Sequence, residues 1–176
     1  MGIGTHRLET RTYAHHQETT MHHYHTHILW TGNLGSGTSG YRAYSRDFTA
    51  SVTGKPDIAG SSDPAFRGDP ARWNPEDLLL AAISACHKLW YLHLCADHGI
   101  IVLAYEDHAE ADMDAGNAGT PGHFVSATLK PRVTVAAGAD KALALALHDK
   151  AHHACFIANS LNFPVRCQAE IVETTA

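Results

Sequence analysis

The fold is decided by one stretch of sequence, Asn74-Pro-Glu-Asp-Leu-Leu-Leu-Ala-Ala-Ile-Ser-Ala-Cys-His-Lys-Leu-Trp-Tyr-Leu-His-Leu-Cys-Ala-Asp-His-Gly99. Its first four residues predict a helix start, because asparagine caps the first turn, proline suits the first helical position and acidic side chains favour the helix N-terminus. Gly99 predicts the helix end. The side chains between these ends are apolar nearly all round, which is typical of a helix at the centre of a domain.

This helix is also nearly long enough to span a membrane, since the 19 residues 78–96 are mostly apolar. His87, Lys88 and His93 interrupt the apolar run, and Glu76-Asp77 precede it. Ionisable side chains are costly inside a bilayer. We therefore expect a buried core helix and no membrane association.

The remaining pattern predicts strands on both sides of the helix. Tyr24–Trp30 and Tyr41–Phe48 are rich in aromatic and β-branched residues, and a glycine-rich loop lies between them. That loop contains Gly35-x-Gly37-x-x-Gly40, but no helix start follows it, so a hairpin loop is favoured over a dinucleotide site. Residues 54–73 are predicted to be irregular.

After the helix, the sequence predicts a hairpin, a second helix and a last strand. The hairpin comprises Ile101–Met113 and His123–Ala136, joined by a polar loop over 114–122. One face of its second strand is apolar, with Val125, Ala127, Leu129, Val133 and Val135. The second helix begins near Asp140, and the last strand, from Val165, has Cys167 on its apolar face. Strands and helices are partly segregated, so an α+β fold is expected.

Composition excludes several classes of protein. The 176 residues carry 13 basic and 18 acidic side chains, a formal net charge of −5, which argues against nucleic acid as a partner. Four cysteines are too few for a disulfide scaffold. Residues 1–20 are polar and lack the apolar core of a signal peptide, so we expect an extension outside the fold, a single domain over 21–176, and a cytoplasmic location.

The four cysteines differ in their surroundings. Cys86 and Cys95 lie nine residues apart on one helix, on opposite faces about 13.5 Å apart along the axis, so they cannot bridge each other. Cys95 and Cys167 fit the pattern of small buried apolar residues. Cys86 and Cys155 have basic neighbours, which lower a thiol pKa, so a redox role is one hypothesis for this pair.

Residues 67–86, Arg67-Gly-Asp-Pro-Ala-Arg-Trp-Asn-Pro-Glu-Asp-Leu-Leu-Leu-Ala-Ala-Ile-Ser-Ala-Cys86, resemble the signature of the OsmC/Ohr family of osmotically inducible and organic hydroperoxide resistance proteins. Cys86 matches the peroxidatic cysteine, ten residues after Glu76 of the Asn-Pro-Glu helix start. Cys155 matches the second cysteine. Arg67 matches the loop arginine, and Arg72 is the weaker candidate. The resemblance covers roughly residues 24–172.

The resemblance implies an OsmC-like α+β fold, with antiparallel sheets around a long central buried helix and a second helix, built as an intertwined homodimer. It implies a thiol-dependent peroxidase for organic hydroperoxides, in oxidative stress defence, without metal or other cofactor. Cys86 would become a sulfenic acid and condense with Cys155 to a disulfide, which an external dithiol reduces. Arg67 would stabilise the thiolate, and Glu76 would hold the guanidinium.

Helix geometry tests one of these roles. Glu76 and Cys86 lie about 15 Å apart along a straight helix and about 80° apart around it. They cannot share a site within one helix unless Arg67 bridges them or a partner subunit contributes. An interface between two subunits would meet this requirement.

Other functions stay open. The fold could serve a binding or stress protein without peroxidase turnover, since fold does not fix function. A metal site is a weaker hypothesis; it would draw on Cys86, His87, His93, Cys95, His152, His153 and Cys155. A Cys/His hydrolase is weaker still, because Cys86 and His87 point about 100° apart on a helix. The cluster His22, His23, His25 and His27 could bind divalent metal adventitiously. The run after Cys86 is more histidine-rich than the family pattern.

Overall fold

A computed structural model describes residues 21–174, so the extension predicted over 1–20 lies outside the described residues. It contains two long helices, α1 (Pro75–Asp97) and α2 (Lys141–Ala154). Nine strands accompany them: β1 (His27–Trp30), β2 (Phe48–Ser51), β3 (Ile58–Gly60), β4 (Val102–Asp107), β5 (Glu110–Asn117), β6 (Thr120–Leu129), β7 (Pro131–Val135), β8 (Val165–Cys167) and β9 (Glu170–Glu173). The predicted α+β class is confirmed.

The strands form three sheets of three strands each, in the orders β1-β2-β3, β4-β7-β9 and β5-β6-β8. The first sheet is antiparallel, as expected. The other two are mixed, because β8 runs parallel to β6 and β9 runs parallel to β7. The chain passes through α2 before it returns to these sheets, and such a helical crossover is what parallel pairing requires.

Both helices begin where the sequence predicts. Asn74 caps α1, with its side-chain oxygen accepting a hydrogen bond from the Asp77 amide at 2.6 Å. Asp140 caps α2 in the same way, accepting from the Leu143 amide at 2.9 Å. Gly99 follows α1 with φ of 71°, a left-handed conformation that glycine adopts without steric cost.

The predicted hairpin over 101–136 differs from expectation in two ways: its strands pair closer to the turn, and its two ends belong to different sheets. The predicted polar loop over 114–122 is wrong, since β5 and β6 pair until only Ala118 and Gly119 remain in the turn. At the other end, β4 and β7 pair in a different sheet. Asp107 lies where the hairpin divides between the two sheets. Its carboxylate accepts hydrogen bonds from the Lys130 amide at 2.7 Å and from the Ser84 hydroxyl of α1 at 2.5 Å, which stabilises this point.

The apolar face predicted for this hairpin is correct except at Val125. Ala127, Leu129, Val133 and Val135 are buried, but Val125 is 48% exposed. The β5–β6 register shifts there, with Asp112 opposite Ser126 and Met113 opposite Phe124. Val125 is therefore the extra residue of a β-bulge, which takes it out of the alternation.

The strand predicted over Tyr41–Phe48 is wrong, since β2 begins only at Phe48. The aromatic residues that suggested a strand flank an arginine-centred turn. The guanidinium of Arg46 lies 4.5 Å from the Tyr41 ring centroid and 4.2 Å from that of Tyr44. It also donates hydrogen bonds to the carbonyl oxygens of both tyrosines. Cation–π contacts and hydrogen bonds thus stabilise a turn at this point.

Within a single chain, α1 is buried along one stripe, which is formed by Ile83, His87, Tyr91 and Cys95. This stripe packs against α2 and the sheets, whereas Leu89 on another face is 62% exposed. Among residues 21–174, α1 is the one helix long and apolar enough to cross a membrane by length and composition. The apolar side chains of α1 outside the buried stripe therefore remain exposed in a single chain.

The first sheet is open on both faces. Ile28 and Leu29 are neighbours in β1, so their side chains point to opposite faces, and they are 57% and 53% exposed. An isolated bridge between Gly60 and Trp73 ties the end of this sheet to the start of α1. A small sheet with apolar residues on two open faces is typical of a segment that packs against another chain.

Candidate active site

The packing of α2 against α1 brings Cys86 and Cys155 together, although 68 residues separate them in the sequence. Cys86 lies in the middle of α1 and is half-buried, and Cys155 follows the last residue of α2 and is fully buried. The two side chains are neighbours, close enough for Cys86 to affect the pKa of the Cys155 thiol. Both cysteines are free, so the structure describes the dithiol form.

Burial raises the pKa of the Cys155 thiol to about 11, and the neighbouring Cys86 side chain adds to the increase. The backbone N–H of Ala158, whose nitrogen lies 3.4 Å from the sulfur, acts in the opposite direction. A negative charge on Cys86 also raises the pKa of Cys155. Cys155 is therefore a neutral thiol at physiological pH, which suits a cysteine that reacts second rather than first.

Arg67 and Glu76 are not joined to each other within the described chain. Arg67 is exposed at φ of 69°, directly after a short 3-10 helix, with its guanidinium 5.9 Å from the ring centroid of Tyr41. Glu76 lies in the first turn of α1, and its Oε2 is buried without a hydrogen-bond partner among residues 21–174. A buried carboxylate oxygen without a donor is costly, so this group is incomplete in a single chain.

Arg72, the weaker candidate for the loop arginine, is already engaged. Its Nε lies 3.6 Å from a carboxylate oxygen of Asp47 and 3.5 Å from one of Asp69. These contacts connect the loop before α1 with the segment before β2. Of the two arginines, Arg67 is the one whose guanidinium has no carboxylate partner among the described residues.

Aromatic side chains flank the cysteine pair. Trp90 lies one turn after Cys86 on α1, and its ring packs edge-on against Phe156, which follows Cys155, with 5.6 Å between centroids. Leu89, Trp90 and His93 line a shallow depression of about 230 Å³ on the same side of α1. Phe156 is 70% exposed. The surroundings of the pair are therefore apolar and open to solvent on one side.

A second cluster, not predicted from the sequence, is formed by His87, His148 and Cys167. The Nε2 atom of His87 lies 2.9 Å from Nδ1 of His148, and the sulfur of Cys167 lies 3.7 Å from each of these nitrogens. Burial lowers the pKa of His87 to about 4 and that of His148 to about 3. Burial also raises the pKa of Cys167 to about 12.

The metal-ligand set proposed from the sequence is not brought together as a whole. His93 is exposed and lies 3.4 Å from Asp97, and His153 bonds to the Asp149 carbonyl. Only His87 of that set joins the second cluster. The sequence does carry a signal for His148. It lies one turn after Ala144 and next to Leu147, on the apolar face of α2, and this position indicates a side chain that points into the core.

The sequence model of the OsmC-like protein family matches residues 68–170. No curated protein matches the sequence significantly. A crystal structure of an OsmC-like protein of unknown function from Vibrio cholerae is similar, with 26% identity and a TM-score of 0.75 over 86% of this chain and 100% of that one.

Two organic hydroperoxide resistance proteins show the same fold at lower identity. The protein from Elizabethkingia anophelis is 16% identical, with a TM-score of 0.61 over 88% of this chain and 100% of that one. The protein from Legionella pneumophila is 19% identical, with a TM-score of 0.56 over 85% and 97% of the two chains. The likeness extends beyond the matched family segment to the sheet before α1.

The raised pKa of Cys155 predicts slow alkylation in the folded, reduced protein. A shift from 9 to about 11 leaves roughly 100-fold less thiolate than in an unfolded chain at pH 8, and full burial slows the reaction further. We expect iodoacetamide to label Cys155 at least about 100-fold more slowly in native than in denatured protein, as followed by peptide mass spectrometry. Equal labelling rates in the two states would contradict the placement of Cys155.

Proposed function

Because the chain belongs to the OsmC-like protein family, we propose that it is a thiol-dependent peroxidase that reduces organic hydroperoxides in oxidative stress defence. The observation that carries the proposal is the contact between Cys86 and Cys155, two cysteines from different helices. Neighbouring thiols of unequal burial are what a two-cysteine mechanism needs. The names of the structural relatives support the same substrate class.

The first step belongs to Cys86, the more accessible of the two sulfurs. Its thiolate attacks one oxygen of the hydroperoxide, so an S–O bond forms while the O–O bond breaks. The leaving alkoxide takes up a proton and departs as an alcohol. Cys86 is then a sulfenic acid, oxidised by two electrons, and the hydroperoxide is reduced by two.

The second step belongs to Cys155. Its sulfur attacks the sulfenic sulfur of Cys86, so that an S–S bond forms and the hydroxyl group leaves as water with the thiol proton. An external dithiol then exchanges with this disulfide, which restores both thiols and oxidises the dithiol. The packing of α2 against α1 already places the two side chains beside each other, as this step needs.

Arg67 and Glu76 are proposed to act at the same site in a homodimer. Among residues 21–174, one buried oxygen of Glu76 has no donor and the guanidinium of Arg67 has no carboxylate partner, and an Arg67–Glu76 pair would satisfy both. The open faces of α1 and of the β1-β2-β3 sheet provide apolar surface for a second copy of the chain. In the dimer, Glu76 would hold the Arg67 guanidinium by a bidentate pair, and the remaining N–H groups of that guanidinium would stabilise the Cys86 thiolate and the leaving alkoxide.

A binding or stress protein without turnover is the second candidate. The Vibrio cholerae structure, which is more similar to this chain than the two hydroperoxide resistance proteins described above, has no stated function. Such a protein would keep the fold and the cysteine pair without consuming hydroperoxide. The two candidates differ in what happens to the thiols when substrate is added.

Disulfide mapping separates these candidates. Fully reduced protein is treated with one equivalent of cumene hydroperoxide, and thiols are counted before and after by mass spectrometry. We expect rapid loss of two thiols and a Cys86–Cys155 bridge. The control Cys95→Ser should behave like the natural protein, because Cys95 is buried against Tyr91 away from the pair. Survival of all four thiols would favour the binding protein.

Substitution of the ion pair tests the proposed roles of Arg67 and Glu76. We expect Arg67→Ala to lower kcat/KM for cumene hydroperoxide by about 100-fold, as is typical when a group that stabilises developing negative charge is removed. Glu76→Gln should have a smaller effect in the same direction, since the arginine remains but loses its partner.

Arg72→Ala is the matched control for these variants. Arg72 contacts Asp47 and Asp69, so its loss should reduce thermal stability and leave kcat/KM nearly unchanged. A 100-fold fall in kcat/KM for Arg72→Ala, with Arg67→Ala fully active, would reverse the assignment of the two arginines.

A further inference from the structure

Three potential metal ligands from three separate elements meet in the interior: His87 of α1, His148 of α2 and Cys167 of β8. We propose that Nε2 of His87, Nδ1 of His148 and the sulfur of Cys167 bind one Zn²⁺ ion. The site lies apart from the cysteine pair, because adjacent positions 86 and 87 point about 100° apart on a helix. The proposal does not depend on peroxidase activity.

The distances between the donor atoms fit a zinc ion. The two nitrogens are 2.9 Å apart and the sulfur is 3.7 Å from each. A point about 2.0 Å from all three atoms therefore exists at the centre of the triangle, close to the roughly 2.0–2.3 Å of zinc–nitrogen and zinc–sulfur bonds. The metal-free donors are already within the range that a bound ion requires.

A hydrogen bond between the two imidazoles explains only part of this arrangement. The two ring planes are nearly parallel, with an interplanar angle of 8°, and one proton can be shared between the nitrogens that lie 2.9 Å apart. This hydrogen bond does not require a sulfur atom at equal distance from both nitrogens. Zinc would replace the shared proton, and both rings would turn slightly towards Cys167.

The donor set selects the type of metal. Two imidazoles and a thiolate suit zinc or copper, whereas Mg²⁺ and Ca²⁺ prefer carboxylate and carbonyl oxygens. Asp107, whose charge affects the pKa of both His87 and Cys167, already accepts hydrogen bonds from Ser84 and from the Lys130 amide. Zinc does not need a redox partner and accepts three protein ligands with a water molecule as the fourth.

A neighbouring aromatic ring holds one of the ligands in place. Tyr91 stacks on the His148 ring with 3.8 Å between centroids, which fixes the orientation of the imidazole. The hydroxyl group of Tyr105 is buried without a hydrogen-bond partner among the described residues. It lies close enough to Cys167 for a thiolate there to raise its pKa, and we infer that it donates to a zinc-bound water.

Burial distinguishes this cluster from the surface histidines. His87 is 1% exposed and His148 is 3% exposed, whereas the histidines of the segment 22–27 are exposed. Ligands that are already desolvated and held by three elements lose little freedom on binding. An ion at this position would cross-link both helices to the last part of the chain and would stabilise the folded state by mass action.

Metal analysis of the full chain tests the proposal. The protein is purified without a metal-affinity step, loaded with Zn²⁺ and dialysed. We expect one tightly held zinc per chain, lost in Cys167→Ser and retained in the matched control Cys95→Ser. The surface histidines are common to all three proteins and cannot produce the difference. Equal zinc content in all three, or copper in place of zinc in protein as isolated, would overturn the zinc assignment.

Cobalt substitution provides a second readout on the natural chain. Co²⁺ at this site should give a thiolate-to-cobalt charge-transfer band in the near ultraviolet, which histidines alone do not give. The band should persist in Cys86→Ser and disappear in Cys167→Ser. If Cys167→Ser fails to fold, measurements on the natural chain still test the proposal. The proposal would be overturned if cobalt gave no charge-transfer band and if the Tm were neither raised by Zn²⁺ nor lowered by a chelator.

Discussion

The structure depends on the packing of α2 against the buried stripe of α1. On α1 the stripe is Ile83, His87, Tyr91 and Cys95, and on α2 the buried residues are Ala144, Leu147, His148 and Ala151. The alanines allow the two helices to approach closely. This one contact places Cys86 beside Cys155 and His87 beside His148, so both the cysteine pair and the histidine cluster are consequences of the same helix packing.

Helix boundaries and the apolar faces of strands could be predicted because local signals determine them. Asn74, Asp140 and Gly99 act through hydrogen bonds or backbone angles within a few residues. The predictions failed where a distant contact competes with the local pattern. Arg46 turns an aromatic segment that would otherwise favour a strand, and a bulge at Val125 interrupts an alternation that is regular on both sides of it.

For the candidate site, the residues could be predicted from the sequence, but their arrangement in space could be predicted only in part. Residue types, together with the family resemblance, led to Cys86, Cys155, Arg67 and Glu76, and the structure places the two cysteines in contact. It does not join Arg67 to Glu76 within one chain, which agrees with the helix geometry that separates Glu76 from Cys86. His148 and Cys167 were not singled out as partners, because their proximity depends on how α2 and β8 pack, and no sequence spacing encodes that packing.

In the proposed mechanism, Cys86 reacts first with hydroperoxide and Cys155 reacts second. The most direct test uses Cys155→Ser, which removes the second thiol and should trap the intermediate. After one equivalent of cumene hydroperoxide and then dimedone, we predict a single dimedone adduct per chain, located at Cys86 by peptide mass spectrometry. An adduct at Cys95 or Cys167, or an unmodified Cys86, would contradict the account.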